Sequence, residues 1–215
     1  MVLFYVLLII GIPFIYAAYL YPSLPEIIPT HFNIKGEADG FGGKGSIYVG
    51  PSIMGMASLF TYLFLTYIKK IDPKRSEQME DGLFQKFGFF TVLFLTALSM
   101  VILYATTHQG ISIEKLLFPL MGLAFAGMGL YIAKLKQNYF AGFKLPWTLD
   151  NVDNWNATHK IAGKVWLYGG IIQFFAGLAF SSVASFVIFF IAMVVMVLVP
   201  TVYSYRMFKN GNKVS

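Results

Sequence analysis

Six apolar runs, each close to the twenty residues a helix needs to cross the hydrocarbon core of a bilayer, leave this chain few ways to fold. They cover residues 2–20, 47–68, 86–106, 114–134, 161–180 and 184–204. In lipid every backbone N–H and C=O must be bonded within the protein, so runs of this length fold as helices. The expectation is an all-α integral membrane protein with six transmembrane helices, residues 1–215 forming a single membrane domain. The first run has no Lys or Arg before it and no small-residue cleavage site, so it reads as a retained span rather than a signal peptide.

Charge orients the spans. The formal charge of +6 suggests nucleic acid in a soluble protein, but here the basic residues sort by loop. Thirteen of the sixteen fall around residues 69–86, around 134–164 and in the tail with Arg206, Lys209 and Lys213. Only Lys35, Lys44 and Lys115 remain for the other side. The positive-inside rule therefore predicts both termini in the cytoplasm, with residues 21–46 outside and 135–160 inside. Orientation and contact with membrane lipid account for the basic excess, and no direct nucleic-acid partner is expected. No Asp, Glu or His lies near the middle of a run, which argues against a proton-coupled pump. Gln173, Thr96 and Ser99 are polar groups that read as hydrogen bonds between helices, and Gly122, Gly127, Gly129, Gly169, Gly170 and Gly177 as surfaces for close packing. The oligomeric state stays open.

The outer segment 21–46 is richer in Pro, Gly and charge than a connection requires. Pro22, Pro25 and Pro29 stiffen its first half. If residues 30–34 are extended, the two-residue period puts Phe32 and Ile34 on one face and His31 and Asn33 on the other. Lys35-Gly36-Glu37 reads as one turn and Asp39-Gly40 as a second, giving a small two-faced hairpin. His31 with Glu26, Glu37 and Asp39 lacks the second histidine or cysteine a metal site needs, so no metal is expected.

The inner segment 135–160 carries the aromatic residues Trp147 and Trp155. Thr148 is placed to cap a short interfacial helix, with Asp150 in its first turn and Val152, Trp155 and His159 following at spacings of three and four. Trp155 on such a helix is a headgroup-level side chain or a docking contact.

Together the two segments resemble the SdpI immunity-protein family. The outer motif, Pro-Glu-Ile-Ile-Pro-Thr-His-Phe-Asn-Ile-Lys-Gly-Glu-Ala-Asp-Gly-Phe, carries Pro25, Glu26, Pro29, Thr30, His31, Asn33, Gly36 and Asp39, with Lys44 beyond it. The inner motif comprises Asn138, Gly142, Lys144, Pro146, Trp147, Thr148, Trp155 and His159. The resemblance implies a bacterial plasma-membrane protein, multi-pass, that protects its host from a secreted peptide toxin of the Sdp type. It also implies sensing of that toxin and capture of a cytoplasmic transcriptional repressor. Lys144 and Leu145 stand where the family pattern has Arg then Thr, which weakens any bidentate contact made by that Arg and bears on repressor capture more than on immunity. A membrane enzyme or small-molecule transporter working through His31 or His159 is the competing reading. The charge count puts those histidines on opposite sides, and no nucleophile stands beside a base, so neither a catalytic residue nor a cofactor is expected.

Overall fold

The computed structural model describes residues 2–33, 37–71, 82–108 and 113–211. Six helices long and apolar enough to cross a membrane run through it: α1 (Val2–Leu20), α2 (Val49–Ile71), α3 (Leu83–Thr107), α4 (Glu114–Ile132), α6 (Val152–Ala179) and α7 (Ser182–Gly211). A one-turn helix, α5 (Pro146–Asp150), stands between α4 and α6. Two strands, β1 (Ile27–Phe32) and β2 (Ala38–Gly43), form an antiparallel hairpin between α1 and α2. The multi-pass architecture follows the apolar runs, and most helix ends fall within a few residues of them.

Large apolar side chains are turned outward along α1 and α7, among them Phe4, Tyr19, Ile191 and Leu198. In water such faces would be a liability, whereas against lipid tails they cost nothing. What holds helices together in that solvent is close approach, and α4 and α6 supply it. Gly122 and Gly129 on α4 meet Gly163, Gly170 and Gly177 on α6 with backbone against backbone. A Cβ on Gly129 would lie 2.6 Å from Leu167 N, and one on Gly177 2.6 Å from the ring of Pro119. Gln173 reaches from α6 to the Ser185 carbonyl of α7 at 3.5 Å, a long version of the interhelical bond expected of it.

The hairpin is fixed to one end of the bundle by a small apolar cluster. Ile28 of β1 packs with Ala17 of α1, Leu103 of α3 and Ile47 of the 3₁₀ turn Lys44–Tyr48 that leads into α2. Pro29 offers no N–H to the ladder, and the register slips at Thr30, so His31 pairs with Gly40 after Pro29 has paired with Phe41. The expected second turn at Asp39-Gly40 is not there. Both residues lie inside β2, and Gly40 is small because a Cβ on it would come 2.8 Å from that of His31. The expected first turn, with Ile34, Lys35 and Gly36, lies outside the described residues.

The inner segment also differs from expectation. The short helix holds Pro146, Trp147 and Thr148 but stops at Asp150, and Asn151 caps α6, its side chain accepting from the Asn154 N–H at 2.8 Å. Trp155 and His159 therefore belong to the first two turns of a 28-residue helix. At 1.5 Å per residue α6 is about 42 Å long, against about 30 Å of hydrocarbon, so part of it projects beyond the core.

The two segments sit at opposite ends of the bundle, as the charge distribution requires. Single cysteines read the orientation cleanly, because the chain has none of its own. With an impermeant thiol reagent on intact cells, Ser46→Cys is expected to label and Ser76→Cys, which lies outside the described residues, to label only after lysis. Labelling of Ser76→Cys in intact cells would reverse the orientation.

Candidate functional site

At the hairpin end the register slips break the strand alternation, so that Ile28 and Pro29 are both buried, Thr30 and His31 both exposed, and Phe32 half-buried. His31 Nδ1 lies 2.5 Å from Asp39 Oδ1 across the strands. Lys44 closes the base of the hairpin, its Nζ donating to Glu26 Oε1 at 2.7 Å and standing 5.5 Å from the centre of the Tyr21 ring. Near the tip, Asn33 donates through Nδ2 to Glu37 Oε2 at 2.9 Å and accepts from the Glu37 N–H at 3.1 Å. The outer-motif residues His31, Asp39, Glu26 and Lys44 thus meet in two cross-strand pairs. Pro25 and Thr30 are exposed and Pro29 is buried, while Gly36 lies outside the described residues.

His31 and Asp39 keep 72% and 45% of their side-chain surface, and exposed pairs of this kind add little to stability. Their geometry therefore serves the surface they present rather than the fold. Among the described residues no three His, Cys, Asp or Glu are grouped to hold a metal.

The inner end is built differently, as a closed polar clasp. Asn138 accepts from the Phe140 and Ala141 N–H groups, both at 2.8 Å, and donates to the Lys136 carbonyl, which sets the turn after α4. Gln137 donates to the carbonyls of Thr148 and Leu149 at the end of α5. Thr148 accepts from the Leu145 N–H at 2.9 Å and donates to the Phe143 carbonyl at 2.6 Å. Trp147 donates to Ser204 Oγ at 2.6 Å, and Ser204 donates to Asn154 Oδ1 at 2.8 Å, so the loop, α6 and α7 are tied at one point.

Trp155 and His159 close the clasp. Trp155 is fully buried, donates to the Leu135 carbonyl at 2.7 Å and stacks on His159 with ring centres 3.9 Å apart. His159 Nδ1 lies 2.8 Å from the Trp155 carbonyl, which can only accept, and Nε2 lies 3.0 Å from the Phe143 N–H, which can only donate. The imidazole is therefore the neutral tautomer with its proton on Nδ1, and both nitrogens are used. Gly142 has φ +110°, and a Cβ there would collide with Nε2. These facts correct the expectation that Trp155 is an interfacial or docking side chain and His159 an interfacial one, because both are walled in by the loop. Lys144 turns back toward the carbonyls of Tyr139 and Phe140 at 3.3 and 3.4 Å.

One carboxylate escaped the sequence reading. Glu114, at the start of α4, is 8% exposed, and Ser182 Oγ at the start of α7 donates to its Oε1 at 2.6 Å. Its partner is 68 residues away, so no local pattern marks it.

Comparison with protein families bears on the inner end. Residues 134–204 match the model of the SdpI/YfhL protein family. Over that segment, about a third of the chain, this protein is similar to the SdpI/YfhL family. The matched segment starts beside Leu135, which receives the Trp155 indole, and ends at Ser204, which receives the Trp147 indole, so the family region and the clasp nearly coincide. Residues 8–55, which hold α1, the hairpin and the start of α2, match a domain of unknown function (DUF1648). No curated protein and no solved structure gives a match.

Proposed function

We propose that this protein is an SdpI-type immunity protein that engages a secreted, amphipathic peptide toxin at the hairpin end and keeps it from the bilayer. The observation that carries the reading is the family match over 134–204, since the SdpI family is a membrane immunity family. Support at the residue level comes from the outer pairs. His31–Asp39 and Lys44–Glu26 hold four charged or polar groups at the surface, where they contribute little to folding. The inner clasp in this reading secures the architecture. Contact with a cytoplasmic repressor falls instead to exposed charged side chains of the same region, Lys144, Asp150 and Lys160.

His31→Ala and Asp39→Ala are expected to reduce survival of toxin-exposed cells while membrane abundance stays at the wild-type level. Abundance separates the two roles because neither side chain is buried. Survival unchanged in both variants would remove the pair from toxin engagement, and loss of the protein itself would make the pair part of the fold.

A further inference from the structure

A second feature of the hairpin end is a cleft of about 320 Å³ between α4 and α7, bordered by Phe32 of the hairpin. Its walls are aromatic, with Phe118 from α4 and Phe189 and Phe190 from α7, and Glu114 lies in its lining. Glu114 Oε1 is held by Ser182, but Oε2 is buried without a hydrogen-bond partner among the described residues. A carboxylate left half-satisfied in an apolar wall is costly unless a cation meets it. The neighbouring cation does not, because Lys115 Nζ is committed to the carbonyls of Leu178 and Phe180 at 3.2 and 2.5 Å. Among the described residues no Lys, Arg or His lines the cleft.

We propose that this cleft receives an ammonium group of an amphipathic peptide, N–H donated to the Glu114 carboxylate and the adjoining apolar side chains laid against Phe118, Phe189 and Phe190. Aromatic faces suit such a ligand twice over, attracting the cation through their ring quadrupoles and burying its apolar part. A zwitterionic lipid fits less well, since its phosphate arrives with its ammonium and the described lining offers that phosphate no cation. This deepens the immunity reading and rests on it, assigning the peptide's cationic point to Glu114 rather than to the exposed outer pairs.

The test uses the full chain in phosphatidylcholine nanodiscs and a Phe-Leu-Phe-Leu amide as probe, with its amino terminus either free or acetylated. Saturable binding of the free-amine peptide is expected, and acetylation should weaken it at least about tenfold through loss of the charge-assisted bond. Glu114→Gln, which preserves shape and an acceptor for Ser182, should weaken the free-amine peptide by the same factor and leave the acetylated one unchanged. Leu117→Trp, which fills the cleft without touching the carboxylate, should weaken both. Equal binding of the two peptides, or free-amine binding indifferent to both Glu114→Gln and Leu117→Trp, overturns the proposal. So does loss of binding when phosphatidylethanolamine replaces phosphatidylcholine, which would make the lipid headgroup the occupant. A negative result here with normal toxin survival in cells would discard the cleft and leave the immunity reading standing.

Discussion

Trp155→Ala is expected to destabilise the protein by about 3–5 kcal/mol, the range for removing a fully buried large aromatic side chain. The indole fills the space between the loop and α6, stacks on His159 and satisfies the Leu135 carbonyl, and alanine replaces none of these. A marked fall in Tm in detergent, with reduced membrane abundance, is the expected observation. Trp155→Phe keeps a ring for the stack but loses the donor and part of the buried volume, so it should cost less than the alanine, about 1–3 kcal/mol. Were Trp155→Ala to show wild-type Tm and abundance while a cytoplasmic partner was lost, the indole would be a docking contact after all.

Gly142→Ala should follow close behind. The residue adopts a left-handed φ that favours glycine, and the added methyl would occupy the place of His159 Nε2. Strain and the broken Phe143–His159 bond together should cost about 2 kcal/mol or more. A double-mutant cycle isolates the collision: in a His159→Ala background the methyl has room, so Gly142→Ala should cost less there than in the wild type. Additive effects in the cycle, read by thermal unfolding, would mean that the loop does not close on the ring as described.

The apolar runs announced the six spans because the membrane allows one solution for uncharged segments of that length. The start of α6 was hidden for the complementary reason. Val152 through Lys160 is too polar to read as part of a span and reads as a separate short helix, yet it runs on into α6, where Asn154 bonds with Ser204 fifty residues on and His159 accepts from the Phe143 N–H. In the hairpin, Gly40 gave the wrong signal. Glycine followed an aspartate as in a turn, but its smallness answers to His31 across the strand pair. The outer pairing of His31 with Asp39 was legible as a two-faced strand without its partner, whereas the Glu114–Ser182 bond joins two helix starts that only the folded bundle brings together.

The seven-residue spacing of Gly163, Gly170 and Gly177, matched by Gly122 and Gly129, has a mechanical consequence. Two α-helical turns take 7.2 residues, so these smooth points recur on one line every second turn, with bulkier positions such as Leu167 and Phe174 between them. Sliding α6 by one turn, about 5.4 Å, would bring side chains where backbones now meet. The pair is thus latched in register and moves as one strut. An event at the hairpin end that passes through this pair reaches the clasp by tilting or turning the strut whole, and fluorophores placed at its two ends should change orientation in step.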